Sequence, residues 1–318
     1  MKEPDYAGIK SFFGAPKADI DDISDDVDIA ALGFPFDGGV TNQPGARYGP
    51  EGIREATARK RRELTSTEPS YNFATGRVSS YDNLEIRDYG DVTVVPNDIE
   101  ATFDRVRDAV RKFPEETFPV LLGGDHSLTY SSFEARAHAI DESIGIVQLD
   151  AHTDTWGTDE LYGEYYHGSP MSHIAESEYG DYSKHAVVGL RGYTDKRFLD
   201  IESEEGLYTA TTSEVKDRGI EPCLREAIEH ASQDVDAVYL TVDIDVVDPA
   251  FAPGTGTPVP GGISSYQFLT AADILGEYDD ISAIDLMEVA PRIESGQTTV
   301  DLGASFLSRF LQERFAEA

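Results

Sequence analysis

The chain of 318 residues has little cysteine, few basic side chains and no long apolar run. Its single cysteine, Cys223, excludes an internal disulfide and gives no thiolate metal cluster. No apolar run approaches 18 residues, and the N-terminus lacks the basic and apolar pattern of a signal peptide. We therefore expect a cytoplasmic protein without a membrane span. The Gly-x-Ser-x-Gly motif of serine hydrolases is also missing.

Basic side chains are outnumbered by acidic ones, 26 against 60, which gives a formal net charge of −34 and a pI near 4.3. The acids are scattered along the chain rather than gathered in one tail. A surface of this sign repels nucleic acid and anionic membranes, so we expect neither as a partner. We interpret the charge as an adaptation of the whole surface to a high-salt, halophilic cytoplasm.

Apolar strands alternate with helical patterns along most of the chain. The predicted strands are residues 28–35, 93–96, 118–126, 143–150, 185–191, 237–245 and 281–289. Helices are predicted to begin near residues 50, 98, 127, 221, 264 and 298. This alternation predicts one α/β domain over residues 28–318, with a mostly parallel sheet and helices on both faces. Residues 1–27 are predicted to form an N-terminal arm, with Phe12 and Phe13 as possible anchors on the surface or on a neighbouring subunit.

The strand at residues 143–150 runs directly into three side chains that can bind metal: Asp150, His152 and Asp154. Side chains two residues apart on an extended chain point to the same face. Asp150 and His152 can therefore converge, and Asp154 can reach in from the following loop. Two carboxylates and an imidazole at the end of an apolar strand are costly unless a cation compensates them. The alternative is a polar loop with solvated acids.

Three other predicted strands also end in polar residues. His126, the pair Asp243 and Asp245, and Glu288 occupy these positions. A capping Asp or a core His is the commoner role of each, but the carboxyl ends of strands in an open α/β sheet line one crevice. Two His and four Asp are too many ligands for one small ion and suit two divalent cations. Such a pair would lower the pKa of a shared water and support hydrolysis without a Ser or Cys nucleophile.

Six short motifs occur in an order that resembles the ureohydrolase superfamily of arginase, agmatinase and guanidinobutyrase. They are Gly-Ala-Arg-Tyr-Gly-Pro at 45–50, Gly-Gly-Asp-His-Ser at 123–127, Asp-Ala-His-Thr-Asp at 150–154, Asp-Ile-Asp-Val-Val-Asp-Pro at 243–249, Gly-Thr-Gly-Thr-Pro at 254–258 and Glu-Val-Ala-Pro at 288–291. The resemblance implies a three-layer α/β/α, arginase-like fold and a homo-oligomer, a trimer or a hexamer. It also implies two Mn²⁺ ions per subunit, although Ni²⁺, Co²⁺ or Zn²⁺ could occupy the same ligands.

The resemblance assigns roles to individual residues. It implies six metal ligands, of which Asp150 and Asp243 are shared by both ions: His126, Asp150, His152, Asp154, Asp243 and Asp245. Glu288 would bind the substrate guanidinium, a planar cation that matches a carboxylate. His167 would shuttle a proton to the leaving amine. Asp154 would join these two in catalysis, and the products would be urea and an amine.

The substrate within the superfamily is the open question. Arginases carry a Ser-x-Asn type of segment before the loop histidine, and residues 161–167 lack it. Glu164, Asp159 and Glu160 could instead attract a distal ammonium. We therefore expect agmatine, cleaved to putrescine in polyamine metabolism. Guanidinobutyrate, another guanidino acid or guanidine is the alternative, and arginine ranks lower.

Two other classes of function remain possible. A metal-dependent phosphoesterase would need cationic clamps for phosphate, and only Arg47 and Arg191 fall near the motifs. A non-catalytic metal-binding protein would need neither His167 nor Glu288. Both classes are less consistent with the sequence than a ureohydrolase.

Overall fold

The computed structural model describes residues 7–65, 69–79, 81, 83–140 and 143–315. Its strands are β1 (Ile29–Gly33), β2 (Ser70–Tyr71), β3 (Val78–Ser79), β4 (Ile86–Asp91), β5 (Phe118–Leu122), β6 (Gly145–Leu149), β7 (His185–Leu190), β8 (Tyr208–Thr211), β9 (Val238–Asp243) and β10 (Ile281–Met287). Its helices are α1 (Gly49–Arg59), α2 (Arg62–Thr65), α3 (Ile99–Val110), α4 (Leu128–Ile140), α5 (Pro170–Glu176), α6 (Phe198–Asp200), α7 (Thr212–Arg218), α8 (Ile220–Ala231), α9 (Ser265–Gly276) and α10 (Thr298–Arg314).

Eight strands form one sheet in the order β4-β1-β5-β10-β9-β6-β7-β8, and every pair in it is parallel. The short strands β2 and β3 form a separate antiparallel pair. Buried strands at the centre of a parallel sheet are apolar on both faces because helices cover both sides. The predicted three-layer α/β/α fold is confirmed.

Alternate residues of each strand enter opposite helical layers. Ile29 and Ala31 of β1 pack in one core with α1, α8, α9 and α10, whereas Ala30 and Leu32 pack in the other with α3, α4 and α5. This alternation follows from the two-residue period of a strand. The helices begin where the sequence favours them. For example, Asp98 caps α3 by accepting a hydrogen bond from the N–H of Ala101, and Ser264 caps α9.

The N-terminal segment, described from residue 7, packs against the domain of its own chain. Phe12 and Phe13 are fully buried, with their rings edge to face at 4.8 Å between centroids. The N–H of Phe12 donates to Asp88 of β4 at 2.8 Å, and the guanidinium of Arg54 in α1 contacts the same carboxylate. The two predicted anchor residues thus lie in the core beside α1.

One strand lies elsewhere than predicted. Residues 93–96 are not a strand, and the edge strand β4 is instead Ile86–Asp91. The polar residues of β4 hide it from an apolar pattern: Asp88 is buried against Arg54, and Asp91, although 45% exposed, pairs with the same guanidinium. The edge strand β8 was also not predicted. Within the described residues, no helix is both long enough and apolar enough to span a bilayer.

Candidate metal centre

The polar residues at the ends of four strands meet at one edge of the sheet. Strands β5, β10, β9 and β6 are consecutive neighbours, so their carboxyl ends lie side by side. His126 follows β5, and Asp150 follows β6. Asp243 ends β9, and Glu288 follows β10. The sheet order therefore brings together residues that are far apart in the chain.

One group of possible metal ligands surrounds the imidazole of His126. The Nδ1 atom lies 2.9 Å from Asp154 Oδ2, 3.2 Å from Asp150 Oδ2 and 3.4 Å from Asp243 Oδ2. His126, Asp150 and Asp243 have ligand atoms within the span of one ion. The Nδ1 atom is buried without a hydrogen-bond partner of satisfactory geometry in the described chain. An imidazole nitrogen facing three carboxylates in this way is suited to share a cation with them.

A second group lies beside the first and is more exposed. His152 Nδ1 is 3.0 Å from Asp245 Oδ2 and 3.6 Å from Asp150 Oδ1, so the two oxygens of Asp150 face different groups. The side chain of His152 is 34% exposed, against 1% for His126. Asp150, His152 and Asp245 again have ligand atoms within the span of one ion. Together the two groups contain five of the six residues predicted as ligands, and the sixth, Asp154, lies beside the first group at 2.9 Å from His126 Nδ1.

Charge in this cluster favours uptake of a cation. Burial lowers the pKa of His152, but the carboxylates of Asp245 and Asp150 raise it to about 12. Burial, together with the charge of Asp150, raises the pKa of Asp154 to about 6. The cluster therefore holds positive charge strongly, and divalent cations are a chemically suitable alternative to protons on the imidazoles. The donor set of imidazole nitrogen and carboxylate oxygen fits such ions.

Two residues in this region have left-handed backbone conformations. Asp154 has φ = +49° and Glu288 has φ = +60°. Such values are uncommon outside glycine, asparagine and aspartate, and they concentrate at functional sites. In Glu288 the turn follows β10, and its N–H donates to the carbonyl of Gly124 at 2.9 Å. The backbone thus holds both carboxylates at fixed positions on the edge of the cluster.

His167 is held between Glu288 and Thr41. Its Nδ1 lies 2.9 Å from Glu288 Oε1, which also accepts the N–H of His126 at 3.0 Å. Its Nε2 lies 2.8 Å from the hydroxyl of Thr41 and 3.1 Å from the Thr41 N–H. A neutral ring accepts at Nε2, and a protonated ring donates there to the hydroxyl. Burial lowers the pKa of His167, but the charge of Glu288 raises it to about 9.

Thr41 is a residue that sequence reasoning missed. It lies 126 positions before His167 in a Gly-rich loop without a recognisable spacing, so no local pattern connects the two. The buried carboxylate of Asp125 fixes this loop by accepting the N–H of Gly39 at 2.8 Å. The carbonyl of Gly39 in turn accepts the N–H of His167 at 2.9 Å. Asp125 therefore positions the histidine without touching its ring.

A cavity of about 270 Å³ opens above the cluster. His152, Asp154 and Asp243 form part of its floor, and its lining also includes Thr41, Trp156, Asp159, Tyr162, Tyr166, His167, Gly168 and Thr257. No Lys or Arg lines it among the residues that the structure describes. Glu164 is exposed and outside this lining, whereas Asp159 from the same loop is part of it.

Comparison with known proteins gives one consistent family. Residues 27–312 match the model of the arginase family. The chain is 34% identical over 291 residues to a mitochondrial agmatinase of Gallus gallus, covering 90% of this chain and 80% of that protein. It is 32% identical over 316 residues to a guanidinobutyrase of Pseudomonas aeruginosa, covering 97% and 93%. The solved structure of proclavaminate amidino hydrolase from Streptomyces clavuligerus superposes with a TM-score of 0.84 at 31% identity, covering 98% of this chain and 99% of that one.

Proposed function

Because this chain belongs to the arginase family and is an amidinohydrolase, we propose that it cleaves agmatine to putrescine and urea. The residues that line the cavity are the basis for proposing agmatine as the substrate. It combines a carboxylate, Asp159, with the aromatic rings of Trp156, Tyr162 and Tyr166, and none of its described residues is Lys or Arg. Aromatic faces and a carboxylate favour a cationic tail such as the ammonium of agmatine.

The six ligands would hold two divalent cations, with Asp150 shared between them. His126, Asp154 and Asp243 would complete one site, and His152 and Asp245 the other, while Asp243 would also reach the second ion. When bound, these cations supply Lewis-acid activation of a water nucleophile. We propose Mn²⁺ because oxygen ligands predominate and only two imidazoles are present; Ni²⁺, Co²⁺ or Zn²⁺ would fit the same donors.

Glu288 and His167 would handle the substrate. Glu288 Oε2 is buried and has no hydrogen-bond partner among the described residues, so this oxygen can accept a guanidinium N–H. His167 lines the cavity beside it and can deliver a proton to the departing amine nitrogen. Asp154 would act as a ligand and as a carboxylate that stabilises the protonated groups around it.

A guanidino acid such as guanidinobutyrate is the second candidate, and one residue favours it. Arg197 lies beside the cavity-lining residue Trp156, with its guanidinium 5.9 Å from the centre of that ring. Its side chain is 64% exposed and pairs with Asp195 at 3.4 Å. A substrate carboxylate could compete with Asp195 for this cation. Asp159 lines the cavity and Arg197 does not, which is why we place agmatine first.

Further properties of the protein are part of the proposal. The excess of 60 acidic over 26 basic side chains supports adaptation of the surface to high salt, and we propose a cytoplasmic location. The likeness to ureohydrolases supports a homo-oligomer, a trimer or a hexamer. Activity measured from low to high KCl tests the adaptation to salt, and the mass of the native particle tests the oligomeric state.

The decisive experiment is urea release by the Mn²⁺-loaded protein in high salt. Agmatine, guanidinobutyrate, guanidinopropionate, arginine and guanidine are compared side by side, and Asp150→Asn is the blank. We expect the highest kcat/KM with agmatine. If a guanidino acid is the best substrate, the proposal of a cationic substrate tail is wrong, but the proposed release of urea stands. Hydrolysis of a generic phosphate ester without release of urea would overturn the reaction itself.

A further inference from the structure

Three buried polar residues lie in register directly beneath the metal cluster. Gln148 in β6, Thr241 in β9 and Asp285 in β10 are cross-strand partners on neighbouring parallel strands. All three are 0% exposed. The centre of a parallel sheet is normally apolar, so a row of an amide, a hydroxyl and a carboxylate at one level needs a physical reason. We call these three residues the polar row.

Two members of the polar row contact metal ligands directly. The amide of Gln148 donates to Asp150 Oδ2 at 2.7 Å, and the hydroxyl of Thr241 lies 2.8 Å from His126 Nε2. A hydrogen bond at Nε2 leaves Nδ1 as the nitrogen that faces the carboxylates. The Gln148 contact occupies one lone pair of Oδ2 and fixes the rotation of the carboxylate. The row thus sets the orientation of one imidazole and one shared carboxylate.

Each of these contacts is supported by a second buried group. His185 Nε2 lies 2.9 Å from Gln148 Oε1, which fixes the amide with its NH₂ toward Asp150. Asp285 Oδ2 accepts the hydroxyls of Thr129 at 2.8 Å and Tyr239 at 2.9 Å. Asp285 is also the cross-strand neighbour of Thr241 in the register of β10 and β9. These partners hold the row in one arrangement.

We propose that the polar row consists of positioning residues that hold the two ligand groups in a geometry ready for metal. Thr241 orients His126, which belongs to one group only. Gln148 orients Asp150, which both groups share. This inference rests on the two-metal centre proposed above and adds residues that act through the ligands rather than on the substrate.

The test measures metal binding rather than turnover. Chelator-stripped full-length protein is titrated with Mn²⁺ by equilibrium dialysis, and unfolding by urea is measured on the metal-free form. Thr241→Val should lower the affinity for one of the two Mn²⁺ ions by about 10–100-fold, because outer partners of ligands contribute on that scale. The affinity for the other ion should not change. Gln148→Met should lower the affinity for both ions, because Asp150 is the proposed ligand that both share.

Thr57→Val is the matched control. It makes the same change at another fully buried threonine, in α1, whose hydroxyl donates to the carbonyl of Ile53 at 2.9 Å rather than to the polar row or a ligand. We expect it to lower the unfolding stability comparably to Thr241→Val while both Mn²⁺ affinities stay at the wild-type values. A His185→Phe change combined with Gln148→Met should add nothing to the loss of affinity seen with Gln148→Met alone.

The outcomes separate this inference from the proposed function. If the wild type binds two ions and Thr241→Val binds them equally well, the row does not position the ligands. If Thr57→Val and Thr241→Val lose equal affinity for Mn²⁺, general loosening of the core explains the result and the inference is wrong. If the wild type itself binds no Mn²⁺, the two-metal centre is refuted and the inference falls with it.

Discussion

The floor and the mouth of the cavity are built in different ways. The floor consists of side chains at the ends of β5, β6 and β9, each fixed by sheet register and by buried hydrogen bonds. The mouth comes mainly from the loop of residues 155–168, with Thr41 and Thr257 from two other loops, and the rings of Trp156 and Tyr162 in it are exposed. His126, beneath the floor, is almost fully buried, whereas Tyr162 at the mouth is 44% exposed.

This difference separates what the reaction needs from what the substrate needs. Residues on the floor have few alternative positions, because moving one would leave a buried charge without a partner. Residues at the mouth can change at low cost, because water replaces any contact that is lost. One floor can therefore serve a common amidine chemistry while different mouths select different tails.

The largest effect is expected on the floor, at the ligand that faces both groups. Asp150→Asn removes a charge shared by the two proposed ions, so urea release should fall by more than about 100-fold, the upper end for outer partners of a ligand. Steady-state kinetics with Mn²⁺ measured by dialysis checks this. Near wild-type activity with two ions bound would show that Asp150 is not a shared ligand.

A change at Glu288 distinguishes substrate binding from metal binding in the floor of the cavity. Glu288→Gln removes the charge-assisted hydrogen bond that we propose to the substrate guanidinium, worth about 1.5–3 kcal/mol, so kcat/KM should fall about 10–150-fold. Both metal ions should stay bound, because Glu288 contacts the N–H of His126 and not the cluster nitrogens. Loss of metal in this variant would place Glu288 among the ligands and contradict the division.

Burial beneath the floor, at the start of β7, also predicts a response to pH. Burial lowers the pKa of His185 to about 3, whereas an unfolded histidine has a value near 6.5. Its contribution to stability is complete above pH 6.5 and is lost as the pH falls toward 3, because only the unfolded chain takes up the proton. His185→Gln should remove a slope of about 1.4 kcal/mol per pH unit between pH 6 and pH 4.

Urea unfolding of metal-free protein across this pH range measures the slope. His138, at the protein surface beside Tyr179, provides the control variant His138→Gln, which should keep the wild-type slope. Equal slopes in the wild type and in His185→Gln would mean that another group controls acid unfolding.

Sequence reasoning succeeded where the two-residue period of a strand carries the information. The α/β/α fold follows from alternating patterns, and the placement of Asp150 and His152 on one face follows from their spacing. The same period would have identified Gln148 and Thr241, each two residues before a cluster aspartate. Thr41 could not be found in this way, because only the folded chain brings its loop to His167.

At the mouth of the cavity, the local sequence pattern did not predict which acidic residue lines the cavity. A change there also has the smallest predicted effect on activity. Within one short acidic loop, the sequence alone could not separate Asp159, which lines the cavity, from Glu164, which does not. Asp159 is partly exposed, and exposed ion pairs contribute about 0.2–1 kcal/mol. Asp159→Asn should therefore raise the KM for agmatine about 1.5–5-fold at low salt, with less effect at high salt because salt screens the pair.

Glu164→Gln is the matched control for this change, since it removes one charge from the same loop outside the cavity. It should leave the KM for agmatine unchanged, and Asp159→Asn should leave the KM for guanidinobutyrate unchanged or lower it. A rise in the agmatine KM for Glu164→Gln and none for Asp159→Asn would restore Glu164 as the ammonium-binding residue. Equal small rises in the KM for agmatine in both variants would mean that the loop acts through its total charge. The mouth would then select its substrate by its electrostatic field and not by a direct contact.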